Sequence, residues 1–517
     1  MPESLSKAAI GTAGALVVLL HLAPALARTT RVIAASGDPI PGTNDYFAGA
    51  DRRYLFSAQL NDQGQVSFSA PIANSTGRYA LGIFQADAST LIEIARSDGL
   101  APDGTSQYGS LARRGQNDSG QVLFVADFRS ENGQFTGDTG LYLWDDGDAS
   151  IVEIARRGQT LPDGSGVIAD WGIDWAALNN TGRVSMLVEL WETSGGASDN
   201  RVIFLHDGDD LIEIVREGHA APNASTFSFI GSPTLYQPAL NNHNQVAFSG
   251  RLIGMTENAL FRSDGVTITE LTRYGQSAPG GGGTLGRFHD FAFNDEGEAA
   301  YTTRVNDPNN PTLSRSTLIR ADGDESVEIA REGDSVPDGN GSFKNLFIRS
   351  SQILNNAGQV FFEASLSNTN GGYSDDFGLF RGDGIHLTQI VRGAQATPDG
   401  NGSFDNFYTS PGGMNDRGQV AFSASLTGTT GGASDDAGIF LWDDAVGLLQ
   451  VSREGDSLLG STIIGLDLNT LNDGGQIAFA FRLANGRGGI AVWAIPEPSA
   501  IALIVASLLG LRIFVRR

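Results

Sequence analysis

Leu60-Asn61-Asp62-Gln63-Gly64-Gln65-Val66-Ser67-Phe68 is the stretch from which the organisation of the chain can be read. It joins an apolar residue, an Asn, two variable residues and a Gly to a short β-type run ending in an aromatic. The same signature returns at Asn117, Asn179, Asn241, Asn294, Asn355, Asn415 and Asn472, with spacings of 56, 62, 62, 53, 61, 60 and 57 residues. Gly stands three places after the Asn in every copy except one, where Asn244 replaces it; both residues tolerate the left-handed backbone of a tight turn. The aromatic position holds Phe68, Phe124, Phe248, Tyr301, Phe362, Phe422 and Phe479, with Met186 as the exception.

The flanking sequence supplies further strands to each copy. A run such as Gly438-Ile439-Phe440-Leu441-Trp442 follows the core, and hairpin signals close it at Asp146-Gly147, Asp207-Gly208, Asp264-Gly265, Asp322-Gly323 and Asp383-Gly384. A third strand comes next, as in Leu211-Ile212-Glu213-Ile214-Val215-Arg216. A looser segment before each Asn, such as 227–240, supplies the fourth. Four antiparallel strands per roughly 60 residues, without helical periodicity, predict the blades of an all-β propeller.

The ends of the array predict how it closes. There are eight Asn-centred cores but only seven segments of the Ile-Ala-Arg type, because the eighth core runs out at Ala491-Val492-Trp493. The missing strand is at the other end: Arg31-Val32-Ile33-Ala34-Ala35-Ser36-Gly37-Asp38 matches Val327-Glu328-Ile329-Ala330-Arg331-Glu332-Gly333-Asp334 except at the Arg position. The expectation is one eight-bladed ring over 28–494, its last four-stranded blade completed by the N-terminal strand, which removes open sheet edges. The alternative is a superhelical array of β-hairpins.

Composition limits the chemistry. The 517 residues contain no Cys, which excludes disulfides, thiolate metal sites and a cysteine nucleophile. Asp and Glu number 59 against 34 Lys and Arg, a net charge of −25, so nucleic acid is not expected as a partner. The 67 glycines fit a turn-rich β fold.

Both termini read as addresses. Residues 1–27 have the order of a secretory signal peptide: Lys7, an apolar stretch from Ala8 to Leu22, then Ala25 and Ala27 at the positions signal peptidase reads. Near the other end, Pro496-Glu497-Pro498 precedes an apolar run from Ala500 to Leu511 and the basic residues Arg512, Arg516 and Arg517. The run is short for a full membrane span, and its terminal arginines favour the cytoplasmic side. This tail, 495–517, resembles the PEP-CTERM sorting signal of Gram-negative bacteria, and the body resembles the tandem Asn-x-x-Gly repeats of exported PEP-CTERM proteins. The resemblance implies an exosortase-like partner, a membrane anchor before processing, and a destination in the outer envelope or extracellular matrix. It implies no activity. Lys7 offsets Glu3, so removing residues 1–27 and the segment beyond Ser499 takes away three arginines and leaves a body at −28.

Within the repeats, Arg96, Arg156, Arg216, Arg273, Arg331, Arg392 and Arg453 each end an outer strand, and all but the last stand six residues before a Pro. Strand alternation predicts that Arg216 shares a face with Ile212 and Ile214. Such a set could receive acidic glycans through bidentate hydrogen bonds, or tie each unit to its own acidic turns. Ser198-Asp199, Ser374-Asp375-Asp376 and Ser434-Asp435-Asp436 offer the oxygens Ca²⁺ requires, yet none matches a Ca²⁺-loop pattern; no other cofactor is indicated. His206, His219, His243, His289 and His386 fall at unrelated repeat positions. There is no nucleophile elbow and no Walker loop, and Gly280 to Gly283 lacks a following Lys. The expectation is a non-enzymatic binding propeller for exopolysaccharide or an envelope protein. The alternative is a glycan-active enzyme using surface carboxylates.

Overall fold

The computed structural model describes residues 29–494 apart from 50–56, 74–78, 131, 170–174, 232–237 and 350–351. The signal-peptide reading, with Ala25 and Ala27, and the sorting-signal reading, with Pro496, Glu497 and Pro498, lie outside the described residues. Among the described residues no helix is long and apolar enough to cross a membrane.

Eight antiparallel sheets follow one another as the blades of a β-propeller. Blade six shows the plan: Ser342–Phe347, Val360–Ser367, Phe377–Gly382 and Leu387–Arg392 pair in that order from the innermost strand outward. Blade eight departs from it in the expected way. Its strands Ser461–Leu471, Ile477–Leu483 and Gly488–Ala494 are completed by Thr29–Ala35, which pairs antiparallel with the last of them, Thr30 opposite Trp493 and Ala35 opposite Gly489. Arg487 secures this closure, donating to the Ser36 carbonyl at 3.0 Å and to Asp38 at 2.7 Å.

The aromatic of the repeat signature fills the interior of its blade. In blade six, Phe343, Phe362 and Phe380 come from three successive strands; Phe343 meets Phe380 edge-on at 5.0 Å and Phe362 stacks on Phe380 at 5.7 Å. Blade four repeats the triad with Phe227, Phe248 and Phe261, and blade seven with Phe404, Phe422 and Phe440. All three rings of blade six are buried, each worth about 1.5–3 kcal/mol of transfer free energy. The remaining apolar residues form clusters that bridge neighbouring blades, so each sheet is half of two cores.

One feature of the outer strands overturns the simple alternation. In blade three the register slips after Ile203–Val215 to Phe204–Glu213, leaving Ile214 as the extra residue of a β-bulge. The same slip occurs in every other blade. Ile212 is therefore exposed while Ile214, Val215 and Arg216 are all buried, and the predicted stripe of Ile212, Ile214 and Arg216 does not form. The bulge also turns residues three apart onto one side of the strand, which regular alternation forbids. Arg216 consequently sits 3.8 Å from Glu213, and Arg273 sits 2.9 Å from Glu270.

Candidate functional site

The turns of the Asn-x-x-Gly signature gather at one end of the ring axis. Within each turn the Asn Oδ1 accepts the backbone N–H four residues on, as in Gln65 to Asn61 at 2.8 Å. Gly64 at φ +80° and Asn244 at φ +62° take the left-handed backbone that the turn needs. The Asn amide then reaches into the next blade. Asn61 donates to the Asn117 carbonyl, Asn117 to Asn179, Asn179 to Asn241, and Asn241 to Asn294. Asn294 donates to Asn355, Asn355 to Asn415, Asn415 to Asn472, and Asn472 back to Asn61. Eight side chains thus close a circle of hydrogen bonds.

A second circle lies on the following residue. The backbone N–H of Asp62 donates to the Asp118 carboxylate at 2.9 Å, and the pattern continues through Asn180, Asn242, Asp295, Asn356, Asp416 and Asp473. It returns from Asp473 to Asp62 at 2.7 Å. Six of them, Asp62, Asp118, Asp295, Asn356, Asp416 and Asp473, line an axial opening of about 290 Å³. Where an Asn stands in the circle, its amide serves a neighbouring acid: Asn356 donates to Asp295 at 3.0 Å and to Asp416 at 2.7 Å. Asp416, Asp473, Asp62 and Asp118 are consecutive, so the pair at the chain closure has no amide between its members. Burial first, and then the neighbouring carboxylates, push Asp473 above the usual carboxylate range; Asp62 and Asp416 are raised as well. The sequence signature pointed to the Asn; the acidic circle one residue later was visible only as a frequent Asp.

The seven arginines lie at the opposite end. Five reach the loop that enters their own blade: Arg96 to Asp45 at 2.8 Å, Arg156 to Asp103 at 3.1 Å, Arg392 to Asp338 at 2.8 Å, and Arg453 to Asp399 at 3.0 Å. Arg216, whose loop offers Ser165, donates to its hydroxyl at 2.8 Å and its carbonyl at 2.9 Å. The loops entering blades four and five carry Pro222-Asn223 and Pro279-Gly280 instead of Pro-Asp, and there Arg273 and Arg331 pair with Glu270 and Glu328. Every arginine of the set therefore has a carboxylate or carbonyl partner within its blade.

The Ser-Asp loops join the same contacts. Asp375 accepts from Asn340 at 2.8 Å, while its backbone carbonyl accepts from Arg392 at 2.7 Å; Asp435 repeats both with Asn401 and Arg453. Burial alone would raise Asp375, but hydrogen bonds from Thr369 and Asn340 outweigh it and hold the carboxyl below its usual range. Among the described residues no three His, Asp or Glu side chains are placed to hold a metal ion. Among the described side chains the histidines stay apart: burial lowers the pKa of His206, His219 lies 2.8 Å from Glu213, and His386 lies 3.2 Å from Asp383.

A cavity lies between blades five and six. It holds about 610 Å³ and is bordered by Asp290, Thr302, Arg304 and Ser316 on one side and by Asn345, Phe347 and Arg349 on the other. Arg304 is fixed by two 2.9 Å bonds to the hydroxyl and carbonyl of Ser314, and Arg349 by a 2.8 Å bond to the buried Glu363.

A family model described as a family of unknown function, DUF7453, matches residues 26–258 and again residues 142–502. The chain belongs to the DUF7453 family. The two overlapping matches, displaced by about two repeats, reflect the internal repetition of this DUF7453 chain. Comparison with curated proteins gives no match. Among solved structures it is similar to the β-propeller domain of the Trilobed protease from Pyrococcus furiosus, with 12% identity over 78% of this chain and 99% of that one, at a TM-score of 0.38. A prolyl endopeptidase shares 12% identity over 84% of this chain and 55% of its own, at 0.40. An oligogalacturonate lyase shares 12% over 86% and 97%, at 0.33.

Proposed function

We propose that this protein is an exported propeller of the cell envelope or extracellular matrix, one that binds a glycan or protein there without transforming it. The observation that carries the reading is where the repeated polar residues act. The Asn and Asp circles hold blade to blade, and the arginines hold each outer strand to its entering loop. Residues repeated in nearly every unit serve the unit, which leaves a rigid platform whose clefts differ from blade to blade. The signal-peptide pattern at 1–27 and the Pro496-Glu497-Pro498 tail supply the destination, with signal peptidase and an exosortase-like enzyme as processing partners.

The test is fractionation of cells producing the full chain or a variant with Pro496, Glu497 and Pro498 all replaced by Ala. The purified full chain is offered separately to envelope polysaccharide and envelope protein, with and without Ca²⁺. Envelope recovery that depends on the motif, with saturable binding to either fraction, is expected. Cytoplasmic recovery, or binding to neither fraction, overturns the reading.

A further inference from the structure

We infer that the cleft between blades five and six is a binding site for an uncharged saccharide, taking one pyranose unit of a polysaccharide. This rests on the binding reading above and goes further by naming the place and the ligand class. Its volume of about 610 Å³ is within the usual range for small-ligand sites.

The lining differs from that of the corresponding cleft between blades seven and eight. Arg304 occupies the strand position held by Ser365 in blade six and Ser425 in blade seven. The corresponding cleft between blades seven and eight is smaller, about 330 Å³. It is lined by Tyr408, Ser423, Leu466 and Asp467, with no arginine. Arginine returns at the Arg304 strand position only as Arg251 in blade four and Arg482 in blade eight.

The chemistry of the lining selects a hydroxyl-rich ligand. Each sugar hydroxyl both donates and accepts, so it needs both kinds of partner close together. Arg304 uses Nε and Nη2 on Ser314, with Nη2 also 3.6 Å from Glu332, and Arg349 uses Nε on Glu363, so Nη1 of Arg304 and the terminal nitrogens of Arg349 are the donors offered to a ligand. Asn345 supplies an amide oxygen beside the N–H it gives to Ser365 at 3.3 Å. Phe347, half-buried, with the Arg349 guanidinium 5.2 Å from its centroid, gives the apolar surface that pyranose C–H groups require.

Charge decides between neutral and acidic sugars. Arg349 is paired with Glu363 at 2.8 Å, Arg304 lies 3.6 Å from Glu332, and Asp290 adds a third carboxylate. Three negative charges against two positive, on a chain of net charge −25, give an anionic ligand no electrostatic advantage. The guanidinium groups act here as oriented donors.

The full chain is screened against malto-, cello- and laminari-oligosaccharides and against galacturonate and alginate oligomers, and the strongest ligand is titrated calorimetrically. Arg304→Gln and Asn345→Ala each should weaken binding about tenfold or more, the size of a lost hydrogen bond involving a charged or well-placed polar group. Tyr408→Ala, in the other cleft, should leave affinity unchanged. Thermal melts of all three variants establish that each is folded. Affinity unchanged in both cleft variants overturns the site; binding of the uronate oligomers alone overturns the ligand class. Binding to none of the saccharides overturns the inference, and saturable binding to envelope protein in the fractionation experiment would then leave the broader reading standing.

Discussion

Asp473→Asn should make the ring more stable at neutral pH. In the axial circle Asp473 and Asp62 are adjacent, and no amide lies between them, whereas Asn356 bridges Asp295 and Asp416. An Asn at 473 would keep an oxygen for the Asp416 N–H, now 2.7 Å from the Asp473 carboxylate, and add an amide donor facing Asp62. A hydrogen bond to a charged group contributes about 1.5–3 kcal/mol when buried. These positions are partly open to solvent, so about 1–2 kcal/mol is expected. The sign with pH follows from the raised carboxyls of Asp62 and Asp473. A group raised on folding contributes stability that is fully present below its ordinary value and is lost as pH rises through the folded value. The wild type should therefore gain stability as the pH falls from neutrality towards the ordinary carboxylate range, and the variant should lose most of that gain. Urea midpoints across this range measure both effects. A variant no more stable than wild type near pH 7, or an unaltered pH dependence, would refute the assignment of repulsion at this pair.

Three further outcomes follow from the same contacts. Asn355→Ala removes the donor to the Asn415 carbonyl and the acceptor of the Gln359 N–H, and should cost about 2–4 kcal/mol in urea denaturation. Arg392→Ala leaves Asp338 and the Asp375 carbonyl without their shared partner at a buried site and should cost about 3 kcal/mol. Arg273→Ala, exposed and paired only with Glu270, should cost under about 1 kcal/mol; comparable losses in the two would contradict the structural role. Deleting residues 29–36 strips the outer strand from blade eight and bares the edge Gly488–Ala494; size-exclusion chromatography should show self-association, and a well-behaved monomer would argue against the closure.

The sequence made the ring legible because the turn chemistry is local. A Gly or Asn at one position and an Asn three before it announce each inner turn, and the orphaned eighth core announced where the first strand belongs. The outer-strand bulge was not legible. Leu211 to Arg216 reads as ordinary alternation, and only pairing with Val202 to His206 shows Ile214 displaced from the ladder. The arginine partners were half legible: Pro102-Asp103 and Pro337-Asp338 recur at fixed distance from Arg156 and Arg392, yet the distance in sequence exceeds fifty residues. The cleft between blades five and six was invisible. Arg304 recurs only as Arg251 and Arg482, and self-similarity draws the eye away from positions that vary between repeats.

The closure of blade eight sets an order of events. Thr29–Ala35 is made first, yet its partner Gly488–Ala494 is the last strand of the propeller to be made, more than 450 residues later. At roughly 5–20 residues per second, synthesis holds the early strand without its mate for about 20 s or longer. Seven blades can pair internally as they emerge; the eighth waits for the whole chain. Until then Thr29–Ala35 has no mate and is a template for the complementary end of another copy. A chain crossing a membrane while it is synthesised would have its two ends kept apart for that interval, and the Asn circle could be joined only once passage of the propeller was complete.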